Sequence, residues 1–168
     1  MKDLMPTKVE GLYIRKAIRD DVPLILKFIK ELADYEKMLD QVVATEEIIE
    51  DSIFNRNKAE VVFAVYDGEE VGFALYFNNF STFLGKPGLY LEDLYVREQM
   101  RGKGIGKTLL AYLAKIAVEE DCGRFEWWCL DWNKPSIDFY LKLGAIPMDE
   151  WTVYRLCDDA LIELSKAF

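Results

Sequence analysis

Histidine is absent from this chain of 168 residues, and its 21 lysine and arginine residues are outnumbered by 30 aspartate and glutamate residues. Without an imidazole, the chain has no Ser–His or Cys–His nucleophile pair and no histidine-ligated metal site. Any proton transfer that it catalyses must therefore use a carboxylate, tyrosine, lysine, cysteine or water. The formal net charge of -9 disfavours binding to nucleic-acid phosphates and is compatible with a cationic small-molecule substrate.

Cysteines are also few, and no apolar run is long. Cys122, Cys129 and Cys157 show no CxxC spacing, so we expect reduced thiols in a cytoplasmic compartment. Residues 1–21 are charged and lack the apolar centre of a signal peptide. No uncharged apolar run approaches the length of a membrane span. These absences predict a cytoplasmic protein that binds neither a membrane nor a metal.

The order of the predicted elements indicates the fold class. Neither an internal repeat nor a flexible linker divides the chain, which predicts one domain over residues 1–168. Hydrophobic spacing predicts helices beginning after Asp21 and after Thr45, at residues 104–120 and 134–143, and a last one capped by Asp159. Strands are predicted at residues 12–17, 60–66, 71–77, 89–96, 125–130 and 153–157. The early strands follow one another and the later ones alternate with helices, so we expect an α/β fold with a mixed sheet and helices on both faces.

A glycine-rich segment joins the predicted strand at 89–96 to the helix at 104–120. It reads Arg101-Gly102-Lys103-Gly104-Ile105-Gly106-Lys107, and its alternate glycines allow a tight turn with exposed N–H groups. These groups lie at a helix N-terminus, where the macrodipole favours anions, and the basic residues strengthen that preference. The segment departs from the Rossmann pattern at Lys107 and from the Walker pattern at Arg101. We expect it to bind a phosphate; a plain tight turn into a helix is the alternative.

Four segments, at residues 30–36, 89–96, 101–106 and 131–140, occur in an order and spacing that are typical of one enzyme family. Together they resemble the GNAT superfamily of N-acetyltransferases, and in particular its diamine and thialysine acetyltransferase group. The resemblance implies an acetyl-CoA-dependent N-acetyltransferase that acts on a small cationic amine such as a polyamine, thialysine or a lysine analogue. It also implies direct attack in a ternary complex, a mostly antiparallel sheet with a splayed central strand pair, and a homodimer.

The resemblance also implies which residues contact acetyl-CoA. The glycine-rich segment binds the pyrophosphate, and the preceding strand and a later helix contribute further contacts. The implied set is Leu94, Tyr95, Val96, Arg101, Gly102, Lys103, Gly104, Ile105, Gly106, Lys107, Asn133 and Ser136. Backbone N–H groups near residues 94–96 are expected to polarise the acetyl carbonyl.

Two acidic residues interrupt the apolar strand at 89–96. Strand alternation directs Glu92 to one face and Asp93 to the other, and burial raises the pKa of a carboxyl towards the range of a general base. An ammonium must lose a proton before it attacks a thioester, so Glu92 is the predicted base. The resemblance points to the same residue and implies that Tyr140 is the general acid for the departing thiolate. The alternatives are an exposed, inert strand end for the acids and core packing for Tyr140.

The acceptor is expected beside acidic and aromatic side chains. The resemblance implies acceptor contacts from Tyr35, Glu36, Asp93, Glu126 and Trp128. Polyamine enzymes carry Asp-x-Trp where this chain has Ser81-Thr82-Phe83, and the chain is there more similar to the thialysine branch. Two alternatives stay open from the sequence: acetylation of a protein amine, and a non-catalytic module that binds CoA as a sensor or scaffold.

Overall fold

The computed structural model describes residues 3–168, which separate into two compact units, residues 3–128 and Cys129–Phe168. The first unit contains β1 (Met5–Pro6), β2 (Leu12–Lys16), α1 (Val22–Tyr35), α2 (Glu46–Glu50), β3 (Glu60–Tyr66), β4 (Glu69–Ser81), β5 (Lys86–Val96), α3 (Ile105–Glu119) and β6 (Arg124–Trp127). The second unit contains α4 (Lys134–Lys142) and α5 (Asp158–Ser165).

One six-stranded sheet runs in the order β1-β2-β3-β4-β5-β6. All neighbouring strands are antiparallel except β5 and β6, which are parallel. This is the mixed, mostly antiparallel α/β sheet that the sequence predicts.

The two long helices of the first unit cover opposite faces of the sheet. The apolar stripe of α1, which includes Phe28, packs against Phe63 of β3 and Phe73 of β4. Side chains alternate along a strand, so the position next to Phe73, Gly72, belongs to the opposite face of the sheet. Gly72 pairs with Val96 of β5, whose side chain is therefore on that opposite face too. There Val96 lies beneath the first turn of α3, so helices flank the sheet on both faces as predicted.

A β-bulge interrupts β5 at the predicted catalytic acids. Leu75 of β4 pairs with Asp93, but the next residue, Tyr76, pairs with Leu91, so Glu92 has no partner on β4. The extra residue breaks the simple alternation on which the sequence argument relied. Asp93 takes the same face as Leu75, which packs against the core beneath α1.

The pairing between β5 and β6 ends next to this bulge. Their parallel pairing runs from Gly88 opposite Arg124 to Leu91 opposite Trp127, where β6 ends. Within the described sheet, residues 92–96 of β5 therefore have no neighbouring strand on that side. This opening corresponds to the expected splayed strand pair, and it leaves backbone N–H and C=O groups outside the ladder.

The second unit departs from prediction at its end. Residues 153–157 were expected to form a strand, but they form none in the described chain, because Val153 and Tyr154 are 54% and 91% exposed and bury no face. The final helix begins at Asp158 with Cys157 at its N-cap, so Asp159 lies inside the first turn instead of capping it. An acid is favourable there because it faces the positive end of the helix dipole.

Across residues 3–168, none of the helices combines the length and the apolarity needed to cross a bilayer.

Candidate active site

The glycine-rich segment forms a tight turn into α3. Gly102 and Gly104 both have a φ of 79°, in the left-handed region that favours glycine, and Gly104 is the N-cap of α3. The first N–H groups of a helix have no acceptor inside the helix. No acidic side chain stands in the first turn of α3. The turn therefore presents donors and the positive end of a helix dipole, which suit a phosphate group.

Two basic side chains of this segment lie on tyrosine rings. The guanidinium carbon of Arg101 is 4.4 Å from the ring centroid of Tyr35 and 5.8 Å from that of Tyr95. The Lys103 ammonium lies 4.9 Å from the ring centroid of Tyr66. All three distances are within cation–π range, so aromatic faces hold both charges beside the turn.

Two carboxylates act on a third, Asp93, where α1 ends and β5 bulges. Burial, followed by the negative charges of Glu92 and Glu36, raises the pKa of Asp93 to about 7. Glu36 is the C-cap of α1, and burial raises the pKa of its carboxyl as well. Glu92 is exposed at the bulge. Asp93 therefore exchanges a proton near neutral pH, which is the property that a general base for an ammonium needs.

An ion pair that the sequence analysis missed ties α1 to the end of β5. Arg97 donates through Nε and Nη2 to the two carboxylate oxygens of Glu31, at 2.9 and 3.0 Å. Its guanidinium also lies 4.8 Å from the ring centroid of Phe28. Glu31 and Arg97 are 66 positions apart, so no local pattern could have revealed the pair. It fixes the helix that carries Tyr35 against the strand that carries Asp93.

A hollow of about 400 Å³ opens beside this ion pair. Its lining consists of Glu31, Asp34, Tyr35, Tyr95, Arg97, Glu98 and Gln99. The rings of Tyr35 and Tyr95 are 6.5 Å apart. The structure thus brings together one residue predicted to contact the acceptor and one predicted to contact the cofactor.

The remaining predicted acceptor residues of the first unit, Glu126 and Trp128, lie at β6 and just after it. Glu126 accepts a hydrogen bond from the Asn79 amide at 2.7 Å and pairs with Arg124 at 3.2 Å. The Trp128 ring meets the Tyr90 ring edge-on, with centroids 5.9 Å apart, and the residue is 58% exposed. Glu126 already has partners within the sheet, whereas Trp128 offers ring surface to a ligand.

The second unit holds Asn133, Ser136 and Tyr140. The Asn133 side chain accepts a hydrogen bond from the Ser136 N–H at 3.4 Å and so caps α4, as the sequence predicts for the start of this helix. Gly144, with a φ of 88°, follows its end. Tyr140 is half-buried, with its ring centroid 5.5 Å from that of Phe139. These contacts give each residue a local role in the second unit. The cofactor contacts of Asn133 and Ser136 and the catalytic role of Tyr140 stay predictions.

No group of three cysteine, aspartate or glutamate residues in the described chain is arranged to hold a metal ion. The chemistry that the described residues offer is anion binding at the turn into α3 and proton exchange at Asp93.

A bulged strand that separates from its parallel neighbour, followed by a glycine turn into a helix, defines a GNAT-type acyltransferase. Residues 26–145 match the Acetyltransferase (GNAT) family, so the chain belongs to this family of enzymes, which confirms the resemblance seen in the sequence.

Two curated relatives span most of both chains. The chain is 37% identical over 167 residues to thialysine N-epsilon-acetyltransferase of Sus scrofa, covering 92% of this chain and 98% of the relative. It is 34% identical over 199 aligned positions to L-ornithine N5-acetyltransferase of Arabidopsis thaliana, covering 91% and 87%. Among solved structures, an integron cassette protein of V. cholerae matches with a TM-score of 0.78 at 27% identity, covering 93% of this chain and 98% of that one.

Proposed function

We propose that this protein transfers the acetyl group of acetyl-CoA to a primary amine of a small cationic acceptor, such as a polyamine, thialysine or a lysine-like amino acid. One observation carries the proposal: Asp93, a carboxyl whose pKa is raised to about 7, lies near the end of β5, and the glycine turn into α3, which suits a phosphate, follows that strand along the chain. The names of the pig and Arabidopsis relatives describe acetylation of amino acids that carry a side-chain amine. Both names support the proposed class of acceptor.

The turn into α3 fits the pyrophosphate of acetyl-CoA. Left-handed Gly102 and Gly104 let the backbone approach a ligand closely, and Lys107 places a further positive charge in the first helical turn. When bound, acetyl-CoA supplies the acetyl thioester. The free edge of β5 at residues 94–96 has backbone donors to hold and polarise its carbonyl oxygen. Asn133 and Ser136 are proposed to add contacts to CoA from α4.

Asp93 and Glu92 are proposed to remove the proton from the ammonium group of the acceptor. A carboxyl whose pKa is about 7 is partly ionised at neutral pH, so Asp93 both attracts an ammonium and accepts its proton. Glu92 is exposed one residue earlier, where it can pass that proton to water. The sequence favoured Glu92 as the base; the environment of Asp93 supports a role shared by both acids. Tyr140 remains the proposed general acid for the thiolate.

Recognition of the acceptor is proposed to depend on charge and aromatic surface together. Glu36 and Asp93 provide negative charge, while Tyr35 and Trp128 provide ring faces for a cation or its methylene chain. Glu126 contributes negative charge at the sheet edge, although it is partnered by Asn79. A net charge of -9 adds a long-range attraction for cations.

We also propose a cytoplasmic homodimer. The second unit exposes large apolar side chains, including Ile146, Trp151 and Tyr154 at 80%, 71% and 91%, which supports burial against another chain. All three cysteines are free, which suits a reducing compartment. Light scattering after size exclusion at micromolar concentration is expected to give twice the chain mass of 19.5 kDa, and the mass of a single chain contradicts the dimer.

The proposed activity is tested by thiol release from acetyl-CoA with a panel of amines. The panel contains spermidine, spermine, putrescine, thialysine, lysine, ornithine and a basic peptide. Saturable thiol release with one class of small amine supports the proposal and identifies the acceptor class. Tight CoA binding without thiol release for any small amine contradicts it and favours a CoA-binding module, and release with the peptide alone favours acetylation of a protein amine.

A further inference from the structure

Arg101 bridges the phosphate-binding turn and the acceptor side of the site. Besides lying over the Tyr35 and Tyr95 rings, its guanidinium donates through Nε to the Val96 carbonyl at 3.1 Å. Val96 is the last residue of β5, so the contact folds the side chain back along the strand, where it stays exposed to solvent. The charge of the turn therefore lies on the ring that is proposed to receive the acceptor.

Other charged groups surround this position. The electrostatic environment of the Tyr95 hydroxyl includes Glu31 and Glu98 as negative charges and Arg97 and Arg101 as positive ones. Arg97 is already paired with Glu31 through two hydrogen bonds. Arg101 makes its described contacts with ring faces and a backbone carbonyl, and none of these carries a full negative charge. In contrast to Arg97, Arg101 is therefore open to neutralisation by a phosphate.

We propose that Arg101 couples the two substrate sites, so that binding of CoA at the glycine turn strengthens binding of the cationic acceptor at Tyr35. Without CoA, an ammonium at Tyr35 meets a like charge and a ring face that Arg101 already covers. Pyrophosphate at the turn neutralises that guanidinium and so removes the repulsion. If it also draws the side chain off the ring, it removes the second obstacle as well. The sign of the coupling is therefore positive whether or not the side chain moves. This inference rests on the proposed function, because it needs an amine acceptor and CoA.

Coupling between sites is reciprocal and typically amounts to between 5- and 150-fold in affinity. Because Arg101 is exposed and water screens its charge, we expect the low end, about tenfold. CoA should lower the Kd of the amine by about tenfold, and the amine should lower the Kd of CoA by the same factor.

The test is calorimetric titration with thialysine and with spermidine, into the free protein and into the protein saturated with CoA. Four variants accompany the wild type. Arg101→Gln removes the charge, and Tyr35→Leu removes the ring. Tyr35→Phe keeps the ring face without the hydroxyl. Lys103→Gln is the matched control, because it removes a neighbouring charge that lies on Tyr66 instead.

We expect CoA to lower the Kd of the amine about tenfold in the wild type, Tyr35→Phe and Lys103→Gln, and by less than twofold in Arg101→Gln and Tyr35→Leu. Lys103→Gln is expected to weaken CoA binding itself, which separates loss of cofactor affinity from loss of coupling. Equal amine affinity with and without CoA in the wild type overturns the inference, as does full coupling in Arg101→Gln. Either result together with thiol release leaves the proposed function standing. If no amine binds and none supports thiol release, the proposed function fails and the coupling fails with it.

Discussion

Asp93→Asn replaces a half-buried acid by a neutral side chain of nearly the same size. The rise of the Asp93 pKa from 3.8 to about 7 means that the folded protein disfavours its ionised form by about 4 kcal/mol. The variant removes this cost at high pH, where the wild-type residue is charged. Below pH 3.8, where the acid is neutral in the folded and unfolded chains alike, the variant removes nothing.

The sign of the pH dependence follows from proton binding. Between pH 3.8 and about 7, Asp93 is protonated in the folded protein and ionised in the unfolded chain. The folded state then binds more protons, so the contribution of this group to the free energy of unfolding falls as pH rises through that window. About 3 kcal/mol of this decrease in the free energy of unfolding occurs between about pH 5 and about pH 8. The stability gain of Asp93→Asn over the wild type should grow by that amount across the same interval.

Urea unfolding followed by tryptophan fluorescence measures this gain at both pH values. Repeating the titration at about 1 M NaCl is the control, because salt screens exposed charges and leaves an effect of burial largely intact. A stability difference between variant and wild type that is the same at both pH values refutes the reasoning, since it would mean that Asp93 titrates alike in the folded and unfolded chains.

Three further predictions concern the turn, the core and the reaction. Gly104→Ala forces a side chain into the left-handed region at a φ of 79° and is expected to weaken CoA binding at least tenfold in a calorimetric titration. Gly85→Ala imposes similar strain at a φ of 65° on the β4–β5 turn and should leave CoA affinity unchanged. Asp21→Ala removes a partner of the Arg15 guanidinium, whose side chain is 1% exposed, and should lower the free energy of unfolding by about 3–5 kcal/mol in urea. The pH profile of kcat/KM should rise with an apparent pKa near 7, and Asp93→Asn should abolish that limb; a profile unchanged in the variant would exclude Asp93 as a base.

Local chemistry made much of the fold predictable. The Asp67-Gly68 pair predicted a hairpin, and both residues have positive φ values, 50° and 85°, between β3 and β4. The start of α4 was equally clear, because Asn133 followed by a proline in the first turn is a strong helix signal. Such signals work because a few adjacent residues determine the backbone.

Features that depend on pairing between distant segments escaped prediction. The bulge at Glu92 arises from the register between β4 and β5, which side-chain alternation alone cannot reveal. The same pairing extends β4 to Ser81 and starts β5 at Lys86, beyond the predicted strand bounds of 71–77 and 89–96. Residues 153–157 have strand-like composition but pair with nothing in the described chain, so propensity alone was misleading there.

In the candidate site, too, local features were predictable and contacts between distant segments were not. The glycine segment predicted an anion-binding turn before α3, and the left-handed Gly102 and Gly104 agree with that geometry. The sequence placed two acids together and favoured Glu92 as the base. It could not reveal the raised pKa of Asp93, because that pKa depends on burial and on Glu36, which lies far away in the chain. The contact between Arg101 and Tyr35 was equally invisible, since it joins a loop to the end of a distant helix.

Transfer of an isotopically labelled acetyl group from acetyl-CoA to thialysine, ornithine or spermidine, followed by mass spectrometry of the amine, tests the central claim most directly. The wild type should yield a singly acetylated amine with multiple turnovers. Asp93→Asn and Tyr140→Phe should bind CoA normally but acetylate at least tenfold more slowly. The account is contradicted if the wild type binds CoA yet leaves every amine unlabelled, or if both variants acetylate at the wild-type rate.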